Sequence, residues 1–203
     1  MAPLKVGIVG AEEKKWRPDQ ASRAKQKIRS ILFRLISYGH PLWTHPVPHK
    51  CPYCGYESSV TNICRRCAEI MYVIDHGVTL VSGGCPRGGI DIWAENIAKE
   101  LGIPCEIYRP EVNQWENKKE YKDGKVIVKK GYKARNIEIA KACDILFDIE
   151  PEVLCPKCGG KGCSFCKGKG KVLNWSGGTW TLNYAKKLGK ETYQIVIKLD
   201  KVE

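Results

Sequence analysis

The 203-residue sequence contains no apolar run that approaches the length needed to cross a bilayer, so we expect no membrane-spanning helix and no membrane partner. It also lacks a charged-then-apolar leader, because Met1 is followed almost at once by the apolar run Lys5–Val9. These two absences predict a cytoplasmic protein. No Ser/His/Asp arrangement can be picked out, so the sequence gives no support to a serine-type nucleophile.

Acidic residues are too few to balance the basic ones: 22 Asp and Glu stand against 34 Lys and Arg, and the net charge is +12. The excess is concentrated in residues 14–34, 118–141 and 157–190. Such clusters attract phosphate-bearing polymers, which makes nucleic acid a candidate partner. Solvated lysine-rich faces, common in heat-adapted proteins, explain the same composition, and charge alone does not separate the two interpretations.

Eight of the eleven cysteines fall into two blocks, each built from two CxxC pairs. Two thiolates three positions apart on a tight turn converge on one ion, and a second pair completes a tetrahedral shell of four thiolates. A reducing compartment favours metal ligation over disulfides. We therefore predict two structural zinc sites, with iron as a minor alternative. The predicted ligands are Cys51, Cys54, Cys64 and Cys67 in the first block and Cys155, Cys158, Cys163 and Cys166 in the second.

The second block reads as two successive copies of CxxCxGxG, Cys155–Gly162 and Cys163–Gly170. Its glycines allow backbone N–H groups to turn toward sulfur, which stabilises the negative charge of four thiolates. This short segment resembles the cysteine-rich zinc module of the DnaJ chaperones; the resemblance implies zinc and does not extend to a J-domain. Among the other cysteines, Cys105 and Cys143 adjoin strands and are expected in the core, whereas Cys85 lies in a glycine-rich loop.

Apolar runs alternate with segments of helical periodicity along the rest of the chain. This alternation predicts an α/β fold, a Rossmann-like parallel sheet of about five strands with helices on both faces. We expect a single domain over residues 1–203, with zinc knuckles inserted at residues 41–67 and 151–173. Segment Glu116–Lys130 contains the turn signal Asp123–Gly124 and is expected to pass over the ligand-binding face. The five predicted strands are Lys5–Val9, Val78–Val81, Cys105–Tyr108, Ile145–Ile149 and Thr192–Ile197.

Three glycine-containing loops follow predicted strands, at Gly10–Ala11, Ser82–Gly89 and Ser176–Thr179. Glycine after a strand lets the backbone approach a phosphate, and the N-terminus of the next helix offers free N–H groups and a partial positive charge. Each loop alone is weak support, because helix-capping turns use the same residues. Three at the ends of successive strands predict a phosphate-bearing or nucleotide-like ligand.

Three segments carry a resemblance to a known group of proteins: LVSGGCPRGGIDIWAENIAKELGIP, GYKARNIEIAKACDILFDI and SGGTWTLNYAKKLGK. They resemble the superfamily that joins the DNA-processing protein DprA (SMF) with the LOG phosphoribohydrolases, and within it the YspA-like group. The likeness covers Lys5–Gly10 weakly and most of Val78–Ile197, without the second cysteine block. The resemblance implies a Rossmann-like sheet that binds nucleotides or nucleotide-derived ligands.

On matching positions, the resemblance implies that Asp91 orients a ribose or the loop, that Arg135 meets a phosphate, and that Asn136 bonds ligand or loop. Each has a structural alternative: Asp91 and Asn136 could be helix caps, and Arg135 could pair with Asp144 or Glu138. Loops and resemblance together give the candidate ligand-binding residues Gly10, Ser82, Gly83, Gly84, Arg87, Gly88, Gly89, Asp91, Arg135, Asn136, Ser176, Gly177, Gly178 and Thr179.

Catalysis is left open by the sequence. The LOG pattern places a glutamate shortly after the glycine-threonine turn, and Trp180–Asn183 offers no carboxylate there. Asp91, Glu95 and Arg135 are the candidates if the protein is an N-glycosidic hydrolase. A second hypothesis is a DprA-like nucleic-acid-binding protein that uses the basic helix Pro18–Ser37 and the zinc knuckles, and a third is a zinc-dependent adaptor. A homo-oligomer is expected by analogy only.

Overall fold

Five parallel strands form the centre of the computed structural model, which describes residues 3–38, 49–50, 57–58 and 77–200. The mixed α/β class is confirmed, with a largely parallel sheet flanked by helices. The elements in chain order are β1 (Leu4–Gly10), a short 3-10 helix (Glu13–Lys15), α1 (Pro18–Tyr38), β2 (His49–Lys50), β3 (Glu57–Ser58), β4 (Val78–Ser82), α2 (Ile90–Glu100), β5 (Cys105–Ile107), β6 (Lys118–Lys122), β7 (Lys125–Lys129), α3 (Tyr132–Ala142), β8 (Ile145–Leu154), β9 (Lys171–Leu173), α4 (Gly177–Lys187) and β10 (Glu191–Ile197).

The strand order across the parallel sheet is β10-β8-β1-β4-β5. Strand β1 is central: Val6 pairs with Leu80 of β4 on one side and with Ile145 of β8 on the other. The chain builds outward from β1 to β4 and β5, then returns and builds outward to β8 and β10. Between β1 and β8 the direction of winding reverses, and ligands of open α/β sheets bind at such a point, outside the carboxyl ends of the strands.

Each face of the sheet is covered by two helices. Side chains of β1 alternate between the faces, so Val6 and Ile8 pack with α1 and α2, whereas Val9 packs with α3 and α4. Helix α1 buries Ile28, Ile31, Leu32 and Leu35 in the first of these cores, and the spacing of these four residues is the helical periodicity that the sequence shows. None of the helices in the described ranges is both long and apolar enough to cross a membrane.

Two extensions leave the central sheet. Strand β8 continues to Leu154 and pairs antiparallel with β9, so the second cysteine block is held at the end of a β-hairpin. Strands β6 and β7 pair only with each other and form the hairpin expected around Asp123–Gly124. Strands β2 and β3 form a short antiparallel pair.

The predictions for the cysteines outside the second block differ in how they stand against the structure. Cys143 is buried as expected, but Cys105 is exposed, so its assignment to the core is wrong. Cys105 begins the edge strand β5, whose three residues show no fully buried side chain. The first cysteine block, Cys51, Cys54, Cys64 and Cys67, lies outside the described residues, and with it most of the knuckle predicted at residues 41–67.

Candidate functional site

A cavity of about 190 Å³ lies at the carboxyl ends of β1 and β4, beside the point between β1 and β8 where the winding of the sheet reverses. Its wall combines the end of β1, the loop after β4, the first turn of α3 and the start of α4. The lining residues are Val9, Gly10, Glu12, Lys15, Cys85, Arg87, Asp91, Trp115, Tyr132, Arg135, Asn136, Ser176, Gly177, Gly178 and Thr181. The fold therefore brings residues between Val9 and Thr181 of the chain to one place.

The N-terminus of α4 forms one wall of the cavity. Ser176 caps the helix, because its Oγ accepts a hydrogen bond of 2.9 Å from the backbone N–H of Gly178. Gly178 must be a glycine, since a Cβ there would lie 2.5 Å from Asp148 Oδ1 and 2.6 Å from Gly10 Cα. The Gly177 carbonyl accepts hydrogen bonds from Asn136 and Thr181, at 3.2 and 2.7 Å. These contacts fix the first turn of α4 against the end of β1.

A buried ion pair joins the first turn of α2 to α3. Arg135 Nη1 donates to Asp91 Oδ2 at 2.8 Å, and both side chains are less than 10% exposed, at 8% and 7%. Burial raises the pKa of Asp91, and the guanidinium of Arg135 opposes that shift. Arg135 thus pairs with Asp91, and neither Asp144 nor Glu138 is its partner in the described structure. Its Nε is buried without a hydrogen-bond partner.

The same ion pair explains Gly83. A Cβ on Gly83 would lie 2.5 Å from Arg135 Cζ and 2.6 Å from Asp91 Oδ2, and it would overlap Nη1. Gly83 therefore leaves room for the guanidinium of Arg135. Gly84, Gly88 and Gly89 have positive φ angles of 53°, 72° and 88°, which only glycine adopts without strain. The glycines of this loop serve the turn and its packing, which is one of the two explanations that the sequence allowed.

Cations outnumber carboxylates at the cavity mouth. Arg87 and Lys15 both approach Glu12, with N···O distances of 3.3 and 4.0 Å, and Lys14 approaches the same carboxylate at 3.5 Å. Arg87 also donates to Asn113 Oδ1 at 3.1 Å and lies 5.6 Å from the centre of the Tyr132 ring. Glu12 therefore faces three cations, and the Glu13 carboxylate lies against Gly88 nearby. Within the lining, Lys15, Arg87 and Arg135 stand against Glu12 and Asp91, which leaves a net positive charge.

A carboxylate pair beneath α4 was not among the residues selected from the sequence. Asp148 and Glu150 are both 0% exposed, and they alternate with Phe147 and Ile149 along β8. Burial raises the pKa of Asp148 to about 6, and burial together with the neighbouring charge of Asp148 raises that of Glu150 to about 9. Ser176 Oγ donates to Glu150, so the cap of α4 rests on this pair.

The structure brings together most, but not all, of the candidate residues. The lining of the cavity includes Gly10, Arg87, Asp91, Arg135, Asn136, Ser176, Gly177 and Gly178. Ser82, Gly83, Gly84, Gly88, Gly89 and Thr179 belong to the same loops without lining it. Glu95 lies outside the lining as well: it accepts a hydrogen bond from Ser82 Oγ at 2.7 Å and approaches Arg109 at 3.9 Å. Cys85 does line the cavity, and burial raises the pKa of its thiol.

The second cysteine block has the geometry of a tetrahedral metal site. The four sulfur atoms of Cys155, Cys158, Cys163 and Cys166 lie within 4.8 Å of one another, and three of the Sγ···Sγ distances are 3.8 Å. A regular tetrahedron with Zn–S bonds of about 2.3 Å has edges of about 3.8 Å, so the cluster fits zinc closely. One of the two predicted sites is thus supported by a cluster that can bind the ion.

Backbone amides surround this cluster. Gly162 N donates to Cys158 Sγ and Gly170 N to Cys166 Sγ, each at 3.2 Å, while Cys163 N donates to Cys166 Sγ at 3.1 Å. Two of the glycines of the CxxCxGxG repeats therefore direct their N–H groups at sulfur, as expected from the sequence. Such bonds stabilise thiolate charge and orient the ligands before the ion binds.

Comparisons with known proteins find a similarity to a solved structure but no matching family. No family model matches the chain, and no curated protein matches it. Among solved structures, the chain is similar to the molybdenum cofactor carrier protein MCP from Chlamydomonas reinhardtii, with 14% identity, a TM-score of 0.47, and coverage of 99% of this chain and 92% of that chain. A likeness at this level carries no argument about function, and the resemblance to the DprA and LOG superfamily stays a prediction from the sequence.

Proposed function

We propose that this protein binds a small phosphate-bearing molecule of the nucleotide type in the cavity at the carboxyl ends of β1 and β4. One observation carries the proposal: the N-terminus of α4 opens into the same cavity as an unbalanced group of cations and two aromatic rings. The superfamily resemblance implies the same class of ligand.

The phosphate would lie against the first turn of α4. Gly177 has no side chain to block approach, and the nearest atom to a Cβ placed there is 3.4 Å away. The end of this 11-residue helix carries free N–H groups and about half a unit of positive charge. Lys15 and Arg87 line the same cavity and share the carboxylate of Glu12. A phosphate dianion would supply the negative charge that these two side chains lack.

The rest of the ligand would contact the aromatic side. Trp115 is 38% exposed and packs edge-on against Trp180 with ring centres 5.3 Å apart, and Trp180 in turn stacks on Tyr184 at 5.4 Å. Tyr132 is held by a hydrogen bond of 2.6 Å from its hydroxyl to Asn113 Oδ1. These rings are fixed by their own neighbours, so they offer a preformed surface to a planar group.

The size of the cavity limits what can enter. Pockets for drug-sized ligands usually measure about 300–1,000 Å³, whereas this one measures about 190 Å³. It holds a phosphate and part of a sugar, and a base would lie at the mouth beside Trp115. We infer binding of a compact nucleotide with its phosphate inside.

We infer binding without hydrolysis, because the two carboxylates that line the cavity, Asp91 and Glu12, are each paired with a cation. Asp91 is engaged by Arg135 at 2.8 Å, and Glu95 does not line the cavity. General acid or base catalysis requires a carboxyl within hydrogen-bond reach of the reacting group. Release of free base from a nucleoside monophosphate, followed by chromatography, would contradict this inference.

Nucleic-acid binding through α1 receives less support than small-ligand binding. Several basic side chains of α1 have partners within the protein: Arg23 pairs with Asp19 and Asp200, Arg29 pairs with Glu100, and Lys25 lies 4.8 Å from the centre of the Trp93 ring. These contacts favour a solvated structural face for the helix. Nothing in the described residues favours the adaptor hypothesis over ligand binding.

The test compares adenosine monophosphate, adenosine and inorganic phosphate by thermal shift and calorimetry. We expect the monophosphate to stabilise the protein, by about 2.7 kcal/mol at a concentration one hundred times its Kd, and adenosine to stabilise it far less. The double variant Lys15→Gln/Arg87→Gln should weaken binding of the monophosphate at least tenfold, because both cations line the cavity. Lys99→Gln/Lys187→Gln removes the same charge elsewhere and should bind normally. Equal stabilisation by adenosine and its monophosphate would refute the phosphate site.

A further inference from the structure

The β6–β7 hairpin presents two different faces to solvent. In an antiparallel pair, residues directly opposite each other lie on the same face. One face contains Glu120, which forms ion pairs with Lys118 and Lys129 at 3.1 and 2.7 Å. The other contains the pairs Tyr121–Val126 and Lys119–Val128. The ion-paired face is explained by its own contacts, and the second face is not.

The second face is apolar and unusually exposed. Tyr121 is 81% exposed, Val126 53% and Val128 49%. Lysines at the edges of an open two-stranded ribbon protect it from pairing with another sheet, but this protective role does not account for an exposed tyrosine and two valines between them. A contiguous group of this kind marks an interaction surface.

The charge of the hairpin selects the class of partner. Residues 118–130 contain six lysines and two acids, and within the described part of the chain Lys119, Lys122 and Lys125 form no ion pair. A second copy of the chain would bring these lysines against their equivalents, which is unfavourable. The partner must therefore be strongly negative.

The dimensions of the face narrow the choice further. Five residues at about 3.4 Å each, across two strands that each take up about 4.8 Å of width, give a face of roughly 160 Å². A stable protein interface needs about 800 Å² from each partner, so the hairpin is too small to hold an acidic protein. An exposed aromatic ring with one unpaired lysine on its face, and two more beside the turn, is enough, however, to stack one base and contact the adjacent phosphates.

We propose that the β6–β7 hairpin binds single-stranded nucleic acid, with Tyr121 stacking on a base and Lys119 of the same face contacting the adjacent phosphate. Lys122 and Lys125 lie on the opposite face as the last pair before the turn, and they would contact phosphates where the strand passes around the end of the hairpin. This surface is separate from the cavity. It is nevertheless close to it in the chain: Trp115 precedes β6 by three residues, Tyr132 follows β7 by three, and both line the cavity. The hairpin thus projects from the rim of the proposed nucleotide site.

The experiment uses the full-length, zinc-loaded protein and fluorescein-labelled dT12 and rU12 in anisotropy titrations from 50 to 200 mM salt. Tyr121→Leu should lower the affinity about tenfold or more, whereas Tyr121→Phe keeps the ring and should retain most of it. Lys122→Gln/Lys125→Gln should reduce the slope of log K against log salt by about 1.4, that is about 0.7 for each lost phosphate contact. The matched control Lys99→Gln/Lys187→Gln removes two charges elsewhere and should not change the slope.

Each outcome decides the proposal. Binding of either oligonucleotide with the expected losses supports it, and comparison of dT12 with rU12 tells DNA from RNA. Absence of binding overturns it, as do equal losses for the hairpin and control lysine pairs, or binding to anionic phospholipid vesicles with none to the oligonucleotides. Stabilisation by adenosine monophosphate should be the same in all hairpin variants, so failure here is distinguishable from failure of the nucleotide site.

Discussion

Replacing Gly83 with alanine tests the contact that joins the loop after β4 to α3. Gly83 has no positive φ angle, so alanine is compatible with its backbone conformation. The added methyl group would nevertheless occupy the position of the Arg135 guanidinium, 2.5 Å from Cζ and 2.6 Å from Asp91 Oδ2. We expect Arg135 to be displaced and Asp91 to remain buried without its partner.

The size of the effect follows from that loss. Removing one partner of a buried ion pair costs about 3–5 kcal/mol, because the remaining charge stays desolvated. The total stability of a domain is about 5–15 kcal/mol, so the variant should unfold far more easily. At about 2–4 °C per kcal/mol for a chain of this length, the melting temperature should fall by about 6–20 °C. Gly177→Ala is the matched control, since its nearest neighbour lies at 3.4 Å and the change should cost little.

Urea denaturation of a double-mutant cycle provides the assay. In an Arg135→Met background the guanidinium that the methyl group would displace is absent, so Gly83→Ala should cost clearly less there than in the native chain. A cost below about 1 kcal/mol in the native background, or the same cost in both backgrounds, would refute the assignment of Gly83 to the packing of Arg135.

Two further predictions concern the buried carboxyl pair and the zinc cluster. Because the pKa values of Asp148 and Glu150 are raised on folding, to about 6 and about 9, the folded protein holds protons that the unfolded chain releases, and stability should fall as pH rises through this window. Glu150→Gln should remove up to about 1.4 kcal/mol per pH unit of that dependence between pH 6 and pH 9. If the free energy of unfolding, measured by denaturation, changed equally with pH in the native protein and in Glu150→Gln, the prediction would be contradicted. Cys158→Ser should lower the zinc content by one ion per chain by elemental analysis and loosen the pairing of β8 with β9, measured by hydrogen exchange. An unchanged zinc content would exclude the cluster as a zinc site.

The fold was predictable because its signals are local. Apolar runs such as Lys5–Val9 define strands, and the spacing of Ile28, Ile31 and Leu32 defines one face of a helix. The four cysteines of the second block are likewise close in sequence, and their spacing alone places the sulfur atoms together. The metal site of the first cysteine block and the domain boundaries stay predictions.

The ion pair and the carboxyl pair were not predictable in the same way. Arg135 and Asp91 are 44 residues apart, and their pairing depends on how α3 is placed relative to the first turn of α2. Asp148 and Glu150 did leave a signal. Acidic residues alternate with Phe147 and Ile149 in a central strand of the parallel sheet. Helices cover both faces of such a sheet, so residues at these positions are normally apolar. Acidic residues at such positions can therefore be selected from the sequence as an unusual buried pair even when no motif includes them.

The β6–β7 hairpin leaves and re-enters the fold at one point, where Tyr132 N donates to Gln114 O at 2.8 Å and Lys133 N to Trp115 O at 2.9 Å. These bonds close the chain beneath the hairpin, so its length is independent of the sheet and of the cavity. We therefore expect that residues 118–129 can be shortened to a two-residue turn or replaced by another β-hairpin without disturbing the core. A change of the hairpin would then alter the partner that this surface binds and leave the ligand of the cavity unchanged.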